Sequence, residues 1–507
     1  ISGGSALDFN GVYSGGSGTL SPASGKTTSF AQDVTFGTFN ANSETVAIDG
    51  TGNQAVNFNG QTISTLTIAN HNNATLVNFT GSFTVDTAWT VTGNNTYSIT
   101  LGNGGTSNVS GNITFNNTGT LTISNGFGFA GTVIATAPQK SLNGTVSTSS
   151  GDLSLGSANA SVPASGSATL DGSPTGAISI GATTLNAGAS LTVGNSGDSN
   201  TITIGQITPN AGGTETVTVN NNAGTVSFTG PIGAAGNYLD TLTLSMTGAA
   251  SVTLADAATA LVTSFNPGGG SYTLVINSDS ATFTNAVSFT SSGNLTLGND
   301  GSGTDTLTFT NGLTATSQTK YIAAIVEATA GTSTIDLGST TTNVKENSRI
   351  GGTATGQITL AAVNIDAGKT LTIGNGAASP IVVTGVISGS AASGNVTFNT
   401  AATAASTVSG IGANIGTMTI TNVGTGNLSF TNAVGTAGSP VGSIVFANTI
   451  TSAGTVAFNG VVYANGITAN NATGAYNIAF NAGGIISSGS SITFDNGGTL
   501  TLGNADT

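Results

Sequence analysis

The sequence predicts an all-β fold and, within that class, a parallel β-solenoid built from short Thr/Asn/Gly-rich strands. Hydroxyl residues alternate with large apolar residues over short runs, and Gly, Asn, Asp or Ser ends most of these runs. Charged residues make up only 5% of the chain. Alternation with a period of two is typical of strands that bury one side. We therefore expect one elongated repetitive β region over residues 1–507.

Alternating runs recur along the whole chain and account for most of the predicted strands. Examples are Thr65–Ile68, Thr201–Ile204, Thr216–Asn220 and Thr306–Thr310. Gly and Asn tolerate the positive φ of tight turns, so their position after the runs predicts sharp corners. Only residues 256–262 and 321–327 resemble helix in their apolar pattern.

Two kinds of internal repeat support a stacked architecture. A five-residue motif, [Leu/Ile]-Thr-x-Gly-Asn, occurs at 99–103, 191–195, 295–299, 371–375 and 500–504. Related strand–turn–strand units occupy residues 113–123, 287–297 and 492–502. The spacing of the motif is irregular, so it does not predict where one turn of a solenoid ends.

A longer duplication aligns residues 176–195 with residues 356–375 without a gap. The offset is 180, and apolar residues meet apolar residues at five alternating positions while the polar residues differ. This is what we expect when one core-facing pattern is used twice.

Tandem β-sandwich domains are the alternative architecture, because the motif spacings approach the size of such domains. We favour the solenoid because the chain has one Trp and only 6% aromatic residues, too few for several sandwich cores. Stacked turns also place equivalent side chains about 4.8 Å apart. At that distance like charges repel, whereas Thr, Ser and Asn can form hydrogen-bonded columns.

Composition excludes several functional classes. The chain has no cysteine, and its six cations are scattered in sequence, which argues against nucleic-acid binding. No apolar run reaches the roughly 18 residues that a transmembrane helix needs. The first residue is Ile1, no signal peptide is present, and the last motif stops three residues before the end. We therefore expect a processed segment of a longer, exported protein.

Several segments share a Thr/Asn/Gly-rich pattern of short strands that resembles a known family. Residues 34–42 (VTFGTFNAN), 111–126 (GNITFNNTGTLTISNG), 394–400 (GNVTFNT) and 454–462 (GTVAFNGVV) resemble passenger regions of bacterial autotransporter adhesins. They are similar to the rickettsial outer-membrane protein B type, which also serves as a surface-layer protein. The resemblance covers most of the chain and implies display outside the cell, on the bacterial surface.

Acidic turns are the candidate cofactor sites, and calcium is the ion they suit. Asn299, Asp300 and Asp305 lie in a segment that partly matches the Gly-rich calcium nonapeptide, and Asp198 lies in a weaker analogue. The pair Asp300 and Asp305 also raises, as a remote alternative, a carbohydrate-active β-helix enzyme. The single histidine, His71, is expected to be a polar turn residue and not part of a catalytic triad.

These features predict a non-enzymatic structural protein of the cell surface that self-associates into a surface layer, sheath or filament. The alternative is an adhesin passenger that binds a host or neighbouring cell or its envelope components. Such an adhesin would need contact segments that interrupt the strands. Residues 319–332 and 343–353 are the candidates, the latter because it is the densest charged segment of the chain.

Overall fold

The fold is all-β, and parallel stacked strands form a β-solenoid with about 20 turns. The computed structural model describes residues 4–69, 71–92, 96–102, 107–254, 259–298, 305–316, 318–391, 393–470, 474–487 and 491–503. These residues contain no helix. All strand-to-strand registers within the described residues are parallel, which confirms the solenoid and not the tandem sandwiches. The chain divides into two compact units, residues 1–252 and 253–507.

In the first unit the strands form three main sheets, and most turns contribute a strand to two or three of them, so the turns enclose a common core. The first sheet contains Leu7–Phe9, Thr27–Phe30, Thr45–Ile48, Thr62–Ile68, Thr84–Val91, Ser107–Val109, Phe127–Phe129, Gly144–Thr148, Ser167–Asp171, Ser190–Val193, Thr216–Asn221 and Leu239–Met246. The second contains Tyr13–Ser14, Val34–Thr35, Gln54–Asn57, Leu76–Phe79, Ser98–Leu101, Thr120–Ile123, Gln139–Leu142, Asn159–Val162, Thr183–Leu185 and Ile207–Pro209. The third contains Ile113–Phe115, Val133–Ala135, Leu153–Ser154, Ala177–Ile180, Thr201–Ile204 and Thr225–Phe228, and Thr19–Leu20 pairs separately with Thr38–Phe39.

The second unit repeats this plan with its own turns, and the strand Ser251–Leu254 lies at the boundary. One sheet contains Thr259–Asn266, Ser280–Phe283, Thr306–Phe309, Ile325–Glu327, Ser348–Ile350, Thr370–Ile373, Gly394–Asn399, Ile415–Asn422, Ser443–Phe446, Ile467–Ala469 and Ile492–Phe494. The other strands are Thr273–Ile276, Val287–Ser288, Leu295–Gly298, Leu313–Thr314, Lys320–Ala323, Ile335–Leu337, Thr342–Val344, Ile358–Leu360, Val363–Ile365, Ile381–Gly389, Ser406–Ile411, Leu428–Phe430, Thr455–Phe458, Val462–Ala464, Asn477–Phe480, Gly484–Ile486 and Leu500–Leu502.

Alternation in the sequence becomes alternation in burial. The strand Thr201–Ile204 buries both isoleucines completely and turns both threonines outward. Aromatic residues, though few, collect in columns inside each unit. In the second unit the rings of Phe430 and Phe480 stack on the two sides of Phe458, with centroids 5.1 and 5.0 Å away. Ring stacking between turns therefore stabilises a core that is poor in aromatic residues.

The Leu-Thr-x-Gly-Asn motif marks a corner of the solenoid and not a particular sheet. Its glycine follows or ends a strand, and in every copy it has a φ in the left-handed region, which glycine adopts without steric strain. These glycines are Gly102 (φ 102°), Gly194 (83°), Gly298 (86°), Gly374 (91°) and Gly503 (81°). Because any corner can use the motif, its spacing does not report the length of a turn.

Turn length varies because the corners absorb extra residues. A short turn leads from Thr27 to its register partner Thr45. The turn that leads from Leu428 to its partner Val456 is longer by more than half. The strands keep their parallel register in both cases. Sequence periodicity is therefore lost while the spatial repeat is kept.

Candidate functional site

Cations are unevenly distributed in the second unit. Four of the six in the chain, Lys320, Lys345, Arg349 and Lys369, lie in the segment 320–369. The strands of this region stack without interruption, since Lys320–Ala323 pairs with Thr342–Val344, which pairs with Val363–Ile365. The charged region is therefore built on regular turns.

This stacking corrects two expectations. Residues 319–332 and 343–353 are not insertions, because each contributes strands in register with its neighbours. The helix-like residues 321–327 form parts of two short strands on different sheets, and a corner at the buried Ala324 separates them. Of residues 256–262, those that the structure describes begin the strand Thr259–Asn266.

The ion pairs of the described residues all lie in this region and connect successive turns. Lys345 Nζ lies 3.2 Å from an oxygen of Asp366, and Lys369 Nζ lies 2.5 Å from an oxygen of Glu346. A guanidinium nitrogen of Arg349 lies 2.9 Å from the carboxylate of Glu327. The first two pairs are about one-third exposed on average, so each adds at most about 1 kcal/mol to stability. Their positions, one turn apart, give a fixed arrangement of alternating charge.

A groove of about 930 Å³ opens beside these pairs. Its wall includes Lys345, Glu346, Asp366 and Lys369, and its floor crosses the strand of Ile322, whose own side chain points into the core. The groove is also lined by Val275, Asn277, Thr296, Gly298, Tyr321, Ala323, Ala367 and Ser390. Pockets of this volume bind small molecules in other proteins.

Tyr321 gives the groove an aromatic surface. Its side chain points outward from a strand whose neighbours, Lys320 and Ile322, point into the core. The ammonium of Lys345 lies 5.8 Å from the centre of the ring, which is within range of a cation–π interaction. The ring, the two ion pairs and the apolar floor thus form one continuous surface.

Two buried lysines occupy equivalent positions in the two units. Lys140 and Lys320 point inward and have 1% and 0% of their surface exposed. Lys140 Nζ donates to the carbonyl of Ala137, 2.7 Å away, and Lys320 Nζ donates to the carbonyls of Ala315 and Gln318. Each ammonium therefore satisfies carbonyl groups at a corner that no strand satisfies.

The sequence contains a signal for this pair outside the duplicated segments. Lys140 and Lys320 are separated in sequence by the same offset as the duplicated segments, and both follow an Ala-Thr dipeptide by the same distance. Burial lowers the pKa of Lys140 and lowers the pKa of Lys320 to about 8, with a small opposing effect from the charge of Asp336. The lysines are structural groups under electrostatic strain.

The candidate calcium residues do not all fall within the described structure. Asn299 and Asp300 lie outside the described residues, and Asp305 is buried at the start of the strand Thr306–Phe309. Asp198 is half-buried and lies near Asp171, a residue that the sequence motif did not include. Burial, followed by the charge of Asp198, raises the pKa of Asp171. Calcium binding at Asp198 stays a prediction, since among the described residues no three His, Asp or Glu side chains converge.

His71 lies in the connection between the strands Thr62–Ile68 and Leu76–Phe79, as the sequence suggested, but its ring is almost completely buried. Nε2 lies 3.2 Å from the carbonyl oxygen of Ile48, and the ring packs 5.3 Å from that of Tyr97. Burial lowers the pKa of His71. Its contacts are those of a core residue that joins two turns.

Hydroxyl columns cover the outer faces of the first unit. On the first sheet, consecutive turns align five threonines in direct register: Thr145, Thr169, Thr192, Thr218 and Thr243. On the second sheet, six turns align Thr100, Thr122, Ser141, Ser161, Thr184 and Thr208. On the third, the column is Ser154, Ser179, Thr203 and Ser227. The columns themselves carry no charge, although Asp171 lies two residues from Thr169 on the outer face of the first sheet.

Comparison with known proteins gives no relative from which a function could be transferred. No protein-family model, curated protein or solved structure matches the chain. No helix of the described residues is long and apolar enough to cross a membrane.

Proposed function

We propose that this chain is a non-enzymatic structural protein of the bacterial cell surface that self-associates into a surface layer, sheath or filament. The observation that carries the proposal is the set of hydroxyl columns on the three sheets of the first unit. The location outside the cell rests on the resemblance to autotransporter passengers.

Uncharged hydroxyl columns favour lateral contact between copies. Two charged faces must lose hydration and counterions before they touch, whereas two Thr and Ser faces can exchange hydrogen bonds with water for hydrogen bonds with each other. The β-branched threonines also have few rotamers to lose on association. A repeat every ~4.8 Å lets weak contacts add along the face.

Electron microscopy of the purified chain tests self-association. We expect sheets, tubes or filaments in the wild type, recorded with calcium and after chelation. A triple variant, Thr169→Lys, Thr192→Lys and Thr218→Lys, places like charges about 4.8 Å apart on one column and should abolish assembly. A control with three lysines at the exposed corner positions Ala164 and Ala187 and at Ser196 adds the same charge.

The outcomes separate clearly. Assembly by the wild type and by the corner control, but not by the column variant, supports the proposal. Isolated particles of the wild type at high concentration contradict it. Circular dichroism must show the same β signal in all three proteins, so that loss of assembly is not loss of folding.

An adhesin that binds a host or neighbouring cell is the second candidate. It is favoured by the groove in the second unit, where ion pairs and Tyr321 line a long surface depression. A structural protein needs no such groove. Binding of the labelled chain to cells, and its loss on Tyr321→Ala, would support adhesion independently of self-association.

A further inference from the structure

The groove beside the ion pairs runs across many turns and is open along its length. It follows the ends of six strands in consecutive parallel register, from Thr273–Ile276 to Ile381–Gly389. At ~4.8 Å between strands, the groove extends about 24 Å. This length suits a linear polymer better than a compact ligand.

The charges along the wall balance. Lys345 and Lys369 contribute two positive charges, and Glu346 and Asp366 contribute two negative charges in the same stretch. A ligand with net charge of either sign would meet as much repulsion as attraction. The groove therefore does not select an anionic or a cationic polymer.

The same four groups can still form hydrogen bonds with a ligand. Each ammonium has three N–H donors, and each carboxylate has several lone-pair positions, of which the ion pairs use only part. Ser390 already donates to Asp366 at 3.3 Å, so a hydroxyl can join the pair without breaking it. Hydroxyl groups suit this wall because each one both donates and accepts, and bonds to charged partners are stronger than neutral ones.

The floor adds an apolar and aromatic surface. Val275 and the ring of Tyr321 point outward into the groove, whereas the side chain of Ile322 points into the core beneath them. A ligand that fits both surfaces has hydroxyls at its edge and C–H groups on its face. A sugar ring in a linear chain meets both requirements.

An extended peptide fits less well. Peptides that bind solenoids or sheets as added strands need a free strand edge with open N–H and C=O groups. Here the Lys320–Ala323 and Thr342–Val344 strands are each paired on both sides, so the groove offers side chains and not an edge.

We propose that this groove binds a neutral linear oligosaccharide, with Tyr321 stacking on a sugar ring and the two ion pairs bonding its hydroxyls. The proposal rests on the adhesive function and names the class of ligand that it would recognise. It does not depend on self-association.

Calorimetric titration of the full chain tests the ligand class. The probes are neutral β-linked hexasaccharides of glucose, xylose and N-acetylglucosamine, an anionic oligogalacturonate hexamer and an extended uncharged hexapeptide. We expect one of the neutral hexasaccharides to bind at least tenfold more tightly than the anionic sugar or the peptide. Equal or tighter binding of either of the last two, or no binding of any neutral sugar, overturns the proposal.

Variants locate the binding to the groove. Tyr321→Ala should weaken it at least tenfold, Tyr321→Phe should weaken it less than threefold because the ring remains, and Lys345→Met should weaken it severalfold. Tyr463→Ala is the matched control, since Tyr463 also points outward from a strand of the same unit but does not line the groove. Affinity unchanged by Tyr321→Ala contradicts the proposal.

Cell binding measured with the same variants tests the adhesive function separately from the binding of a saccharide. Adhesion that Tyr321→Ala abolishes, in a chain that binds no neutral sugar, keeps the adhesive function and removes the saccharide. Sugar binding without adhesion keeps the saccharide proposal and removes adhesion.

Discussion

Lys320 should make the stability of the second unit rise with pH in a range where surface lysines have no effect. Its ammonium is completely buried, and burial lowers its pKa from 10.5 to about 8. Above pH 8 the folded chain releases this proton while the unfolded chain keeps it. The unfolded state then binds more protons, so the free energy of unfolding increases with pH.

The size of the effect follows from the two pKa values. At ~1.4 kcal/mol for each unit of difference, the free energy of unfolding should rise by about 2 kcal/mol between pH 7 and pH 9.5. The penalty of the buried charge is fully present below pH 8. Measurements below pH 10 avoid the range in which unfolding would ionise the tyrosines Tyr97, Tyr272 and Tyr476, whose pKa values burial raises in the folded chain.

Urea denaturation at several pH values, followed by circular dichroism, measures the slope. In Lys320→Met the rise in the free energy of unfolding between pH 7 and pH 9.5 should be smaller by about 2 kcal/mol, whatever the stability of the variant at pH 7. That absolute stability includes the lost bonds to the carbonyls of Ala315 and Gln318. Lys26→Met, which removes an exposed lysine, is the control. Equal slopes in the wild type and in Lys320→Met would refute the reasoning.

Three further substitutions test the packing and the electrostatics. Phe458→Ala removes the middle ring of a stack and should lower the free energy of unfolding by about 3–5 kcal/mol in denaturation experiments. Val12→Ala, at an exposed position, should change it by less than about 0.5 kcal/mol. Similar losses in the two variants would contradict the role of the stacked rings. Gly374→Ala should lower stability by at least about 1–3 kcal/mol, because its φ is 91° and an added Cβ would clash with the carbonyl oxygen of Asn399. Gly269→Ala, with open space around it, should not lower stability. Asp171→Asn should stabilise the chain at pH 7, because the raised pKa of Asp171 means that ionisation of this carboxyl opposes folding. The gain in stability should vanish as pH falls below about 4, where the carboxyl is protonated in both states. A loss of stability at pH 7, or stabilisation by calcium in the wild type only, would show instead that the folded chain needs this carboxylate as an anion.

Alternation predicted the fold correctly because burial on one side of a strand leaves its record in every second residue. The same rule failed at residues 321–327, where Ala324 forms a buried corner and the apolar run crosses it without a break. Glycine corners were predicted from composition, but their irregular spacing hid the length of each turn.

Alternation could not predict the buried polar residues, and the offset that links Lys140 to Lys320 does not say that either lysine is buried. Lys320 occupies a core position that alternation assigns to an apolar side chain, and lysine is rarely buried without a partner. Its partners are backbone carbonyls at a corner, which have no sequence signature. The groove could not be predicted from the sequence either, since Tyr321, Lys345 and Asp366 lie on three different turns and come together only when these turns stack.

Because turns of unequal length share one strand register, the chain can gain or lose residues at its corners. Insertions and deletions that fall at a corner leave the hydrogen-bonded ladders intact, so drift in length is tolerated there and selected against within strands. The corners are accordingly the positions at which a foreign peptide can be grafted into this scaffold. A short epitope placed after a corner glycine would be displayed at a known height along the stack, set by the number of turns beneath it.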